Sequence, residues 1–93
     1  MRERAVEAAL VREVRARGGL CWKLVSPGTV GVPDRLVLLP AGHVGLVEVK
    51  APGERPRAVQ RVRIDQVRAL GTPCLVLDDP AKVGEVCDAI CSA

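Results

Sequence analysis

The apolar positions change period along the chain, and each change marks an element. Val6, Leu10 and Val14 recur at spacing four, which predicts a helix over residues 3–17 that Gly18-Gly19 ends. "LCWKLV", residues 20–25, predicts a short strand, and "SPGTVGVP", residues 26–33, with its glycines and prolines, predicts a loop. "DRLVLL", "PAG" and "HVGLVEVK", residues 34–50, then predict a hairpin, followed by a second loop, "APGERP". A second helix is expected over residues 57–70, with Pro56 in its first turn. Its mixed stripe takes in Val59, Val62 or Arg63, Ile64, Val67 and Leu70, and Gly71 caps it. The continuous apolar run of "PCLVLDD" predicts a buried strand. Residues 81–91 predict a last helix with Val83, Val86, Cys87, Ile90 and Cys91 on one side.

The order α-β-β-β-α-β-α has a helix joining the hairpin to the last strand. Such a crossover implies a parallel pairing and a right-handed connection, hence one mixed sheet flanked by helices, an α/β domain. No repeat or composition break divides residues 1–93, so a single domain is expected.

The hairpin turn sets a register. Pro40 fits the first central position of a type I turn, and Gly42 the left-handed position after it. With Leu39 and His43 flanking that three-residue loop, Leu38 faces Val44, Leu36 faces Leu46, and Asp34 faces Glu48. Lys50, two residues on, shares the face of Glu48. A two-residue loop would put Asp34 on the opposite face.

Composition narrows the setting. The chain is 48% hydrophobic and 27% charged, with one Trp and no Tyr or Phe, so its core is aliphatic. No apolar run approaches the roughly 18 residues of a membrane span, and the charged N-terminus lacks a signal-peptide core, so the cytoplasm is expected. The net charge of +3 is mild, but every basic residue except Lys82 lies within residues 1–68. Cys21 and Cys74 lie in apolar runs, Cys87 and Cys91 are four apart on the last helix, and no C-x-x-C pair exists, which fits reduced, packed thiols better than a zinc site.

Two opposed carboxylates repel, and no structural need calls for them unless a cation lies between. A hard divalent ion takes oxygen ligands, here Asp34, Glu48 and the carbonyl of Val49, and Lys50 could then position a water or stabilise charge on a phosphate. The plainer alternative makes Glu48 and Lys50 an edge decoration and Asp34 a turn residue. Glu3 and Glu7 share the sector of the first helix's apolar stripe, where an acid needs a partner. Glu7, nearer the middle turns, is the stronger candidate for the metal site; pairing with Arg12 or Lys23 is its plainer role.

At this point "GVPDRLVLLPAGHVGLVEVKAPGERPRAVQ" resembles the VRR-NUC domains, a branch of the PD-(D/E)xK nuclease superfamily. The matching points are Gly31-Val32-Pro33-Asp34-Arg35-Leu36, Glu48-Val49-Lys50, the "KAPG" that follows and Gln60. "VEAALVREVRARGGLCWKLVSPG" is similar to the family's first helix and strand, with Glu7 and Lys23 at matching places and Trp22 where Tyr is more usual. The resemblance runs from about residue 3 to residue 79. It implies a restriction-endonuclease-like αβββαβ core, here with an extra C-terminal helix, and a Mg²⁺- or Mn²⁺-dependent DNA nuclease. It implies Asp34, Glu48 and Val49 as metal ligands, Lys50 as the catalytic lysine, Glu7 as a supporting acid and Gln60 as a bordering polar residue. Stand-alone members resemble virus-type enzymes that act as homodimers on branched DNA such as Holliday junctions, placing this chain in a bacterial cytoplasm or in that of a virus's host.

The expected function is therefore a structure-selective endodeoxyribonuclease. Lys23, Arg35, Arg55, Arg57, Arg61 and Arg63 are its candidate phosphate contacts, and the segment 74–93 its candidate dimer surface. The rivals are a nuclease acting on ordinary duplex or flap DNA, a non-catalytic DNA-binding subunit, and a structural interaction module.

Overall fold

A computed structural model describes residues 2–93. The first helix, α1 (Glu3–Ala16), buries Val6, Leu10 and Val14 completely, with Ala9 beside them. It stops because Gly18 turns left-handed, with φ of 82°. Gly18 then donates to the Arg15 carbonyl and Gly19 to that of Val14, both at 2.9 Å, which satisfies the open end of the helix. Strand β1 (Leu20–Lys23) follows, then the hairpin strands β2 (Arg35–Leu39) and β3 (His43–Val49). The crossover helix α2 (Ala58–Ala69) leads to β4 (Cys74–Leu77), and α3 (Val83–Cys91) closes the chain after a short 3₁₀ turn at Pro80–Lys82.

The strands lie in the order β1-β2-β3-β4, antiparallel except for the parallel β3–β4 pair that α2 connects. The fold is thus the mixed sheet with flanking helices that the element order implies. One face carries Cys21, Val37, Leu39, Val47, Val49 and Leu77 against α1 and α3, and this is the core. Gly45 lets α3 sit close: a Cβ there would lie 2.6 Å from Ile90 Cγ1.

The hairpin has the anticipated register, with Leu39 opposite His43 and Leu36 opposite Leu46. Its turn is of a different kind. Ala41 as well as Gly42 is left-handed, with φ of 68° and 78°, so the type I turn expected at Pro40 does not form. A three-residue loop can reach the same register with either backbone. Two further expectations hold only in part: Ile64 on α2 and Cys74 and Leu77 on β4 are buried as anticipated, and the rest differs. On α2 the buried positions are Gln60 and Ile64, while Val62 and Leu70 face water, and the helix begins after Pro56, with Arg57 as its N-cap. β4 is an edge strand with Val76 exposed, because so short an apolar stripe on α2 covers only part of the outer sheet face. The outer side of β1 and of the hairpin stays open, leaving Leu20 50%, Trp22 55% and Val44 41% exposed.

Candidate active site

The site forms at the sheet end away from the hairpin turn. Asp34 and Glu48 follow the last β2–β3 pair, Arg35 with Val47, and so lie across from each other. Asp34 is held from two directions. Its carbonyl accepts from the Leu24 N–H at 2.7 Å, and its Oδ2 from the Val49 N–H at 2.9 Å. The second bond aims the carboxylate across the ladder at β3, fixing it without a partner side chain.

Glu48 is 1% exposed, and among the described residues neither of its carboxylate oxygens has a hydrogen-bond donor. The nearest cation is Lys50 Nζ, 3.5 Å from Oε2 and itself largely covered. Burial first, and then repulsion by Asp34, push the Glu48 carboxyl up to about 7, against the opposing pull of Lys50. A buried acid with no donor, beside a second acid, is a costly arrangement for a protein alone. A divalent cation would relieve it. The donor set is all oxygen, as Mg²⁺ and Mn²⁺ prefer.

The other expected residues divide into two groups. Gln60 is buried on α2, and its Oε1 accepts from the Arg57 N–H at 2.8 Å, so it shapes the start of that helix. Among the described residues, Glu7 forms no ready three-acid cluster with the carboxylate pair. It takes a 3.0 Å ion pair from Arg35 Nε, and Arg35 Nη1 also donates to the Cys21 carbonyl at 3.2 Å. This corrects two expectations together. The acid beside the buried stripe finds its partner in Arg35, rather than in Arg12 or Lys23, and Arg35 is spent inside the fold instead of reaching phosphate. Arg63 is occupied too, donating through Nε to the Val30 carbonyl at 2.8 Å and pinning the loop before β2. Lys23, Arg55, Arg57 and Arg61 keep exposed side chains.

Glu3, which the sequence ranks below Glu7, also bears on the site. Its carboxyl is raised by burial and then by Asp34, and lowered by Lys50, so it lies in the field of the site. The signal was the sector it shares with Glu7, one turn nearer the helix start. Among the described residues, no three His, Cys, Asp or Glu side chains form a ready metal cluster. The four thiols are free, and burial raises those of Cys21, Cys74 and Cys87, which suits packing rather than chemistry. No helix among the described residues is long and apolar enough to cross a membrane.

A mixed α/β sheet with two opposed carboxylates and a lysine gathered at one end defines a class of domain by its fold and by the charge at that sheet end. Comparison with known proteins gives the class its family. No family model matches the chain. It is 51% identical over 78 residues to "Putative nuclease p44" of Acyrthosiphon pisum secondary endosymbiont phage 1, covering 84% of each protein. A solved structure described as a VRR_NUC domain superposes with a TM-score of 0.85 at 30% identity, over 92% of this chain and 94% of that one. The chain belongs to the VRR-NUC nuclease family.

Proposed function

We propose that the protein is a Mg²⁺- or Mn²⁺-dependent endodeoxyribonuclease that selects branched DNA. The observation that carries this reading is the buried Glu48 carboxylate, without a hydrogen-bond donor and beside Asp34. Asp34, Glu48 and the Val49 carbonyl would hold the metal, which supplies Lewis-acid stabilisation of the phosphate and a more acidic water. Glu3 and Glu7 stand behind the pair. Glu3 adds negative potential at the site, and Glu7 acts through Arg35 on the start of β2. Lys50 donates to the attacking water or to a phosphate oxygen, stabilising the charge that grows as the water oxygen bonds to phosphorus and the P–O bond to the leaving strand breaks. Lys23 and Arg57 contact the DNA phosphates, and the exposed Arg55 and Arg61 also face the bound DNA. Phosphate contacts orient a duplex without reading its sequence, which favours selection by shape.

The enzyme acts as a homodimer, which supplies the second cut that a four-way junction requires. The dimer surface differs from the one expected of residues 74–93. The apolar side of α3, with Val86, Cys87 and Ile90, is used up in the core, whereas Leu20, Trp22 and Val44 are exposed on the outer sheet face.

The test is a cleavage panel of single strand, duplex, flap and four-way junction, each with Mg²⁺, Mn²⁺ or chelator. Wild type cuts the junction fastest and only with metal, and Lys50→Ala loses at least about 100-fold in rate. Equal cutting of linear duplex removes the structure selectivity. DNA binding without cutting points to an accessory subunit. Wild-type activity in Lys50→Ala or Asp34→Asn overturns the assignment of the site.

A further inference from the structure

A groove of about 490 Å³ lies between α2 and the free edge of β4, and it does not contain the carboxylate pair. Its floor includes Ile64 and Val76. Val76 pairs with Glu48 in the parallel register, and neighbouring strands are about 4.8 Å apart, so the groove opens one strand over from the site. Its rim holds Arg55, Arg61 and Arg68 with Glu54, Asp65 and Asp78, equal numbers of guanidinium groups and carboxylates. Arg61, Asp65 and Arg68 stand at i, i+4 and i+7, on one side of α2. Arg68 is anchored, its Nε donating to the Cys74 carbonyl at 2.7 Å. Among the described residues, the other five side chains make no hydrogen bond or ion pair, although both signs are present.

Such a rim is poorly suited to a bare phosphate, since the carboxylates offset what the arginines contribute. It suits a ligand with an apolar face and an edge of alternating donors and acceptors. A nucleobase has that form. Arginine pairs with O6 and N7 of guanine, and a carboxylate accepts from its N1–H and N2–H, which are free only when the base is unpaired. The volume falls in the range of about 300–1,000 Å³ common to small-ligand sites.

We infer that this groove binds an unpaired nucleotide beside the scissile phosphate, reads its base through the rim, and prefers guanine. The position beside the cut rests on the nuclease reading; the binding itself does not. A branch point or gap supplies such a base and an intact duplex does not, so the groove is a means of structure selection.

The experiment is saturation-transfer NMR on metal-free protein in chelator, with each of the four deoxynucleoside 5′-monophosphates and with deoxyribose 5-phosphate. The expected result is saturation of base protons, strongest binding by deoxyguanosine monophosphate, and at least about fivefold weaker binding in Asp65→Asn and in Arg61→Ala. Deoxyribose 5-phosphate binding as well as the nucleotides, absence of binding, or indifference to both substitutions overturns the inference. A cleavage arm compares wild type with Asp65→Asn on gapped DNA bearing an unpaired G or T. The variant keeps cutting and loses the preference for G; an unchanged preference counts against the groove. If wild type cuts no DNA at all, the nuclease reading falls while the NMR result still decides the groove.

Discussion

Glu48 carries an electrostatic tension whose sign can be read from pH. Its carboxyl is raised from 4.5 to about 7, so the folded, metal-free protein keeps a proton there that the unfolded chain has released. The stability tied to that proton is complete below pH of about 4.5 and disappears as pH rises through about 7, an effect on the order of 1–3 kcal/mol. Glu48→Gln removes the titration. In chelator, urea denaturation at about pH 5 and about pH 8 is therefore expected to show the variant gaining on wild type at the higher pH. An unchanged difference between the two proteins would mean that Glu48 is not the group responsible. The residues of this site were legible to very different degrees. Asp34, Glu48 and Lys50 stand out in the sequence because charge at the end of an apolar hairpin has few purely structural uses. The Glu7–Arg35 pair does not, since its partners are distant in the chain and only the packing of α1 on β2 joins them. Glu3 and Glu7 share a helix sector, and periodicity alone cannot say which lies nearer the sheet end that holds the site.

Among the elements, the hairpin shows how a register can be right while its turn is misread. Loop length sets which residues face each other, and length is visible in "PAG". The backbone conformation of Ala41 is not, because a left-handed alanine is a local sacrifice that nothing in its neighbours announces. That sacrifice gives a prediction. Ala41→Asn, a residue that tolerates φ of 68°, raises stability by about 0.5–1 kcal/mol with the register unchanged. Thermal unfolding is the measurement, and a lower midpoint in the variant would contradict the strain. The second helix hides its packed face for a related reason. Its valines suggest an apolar stripe, but the face that packs on the sheet runs through Gln60 and Ile64, and Gln60 is buried there because its side chain caps the helix start. A polar residue with a local backbone partner looks like surface until its partner is known.

At the scale of the molecule, the two sheet faces are unequal. One is closed by α1 and α3, and the other is covered by α2 only towards β4. The sequence made the sheet readable but not this asymmetry, since alternating apolar residues on both sides of β1 and β2 promise two covered faces. The open side sets the third prediction. Leu20, Trp22 and Val44 lie on it, and an interface there would hold the protein as a dimer. Sedimentation at micromolar concentration should give twice the chain mass, and Trp22→Glu should give the single-chain mass with circular dichroism unchanged. A wild-type monomer would remove both the dimer and its proposed surface.

Trp22 has an optical consequence as well. With no Tyr or Phe in the chain, nearly all intrinsic emission comes from this one indole, which the folded single chain already leaves half in water. Unfolding one chain changes its surroundings little, so fluorescence is a poor gauge of folding here. It is instead a lamp fixed to the open sheet face. A blue shift on raising the concentration, or on adding DNA, says that something has come to cover that face.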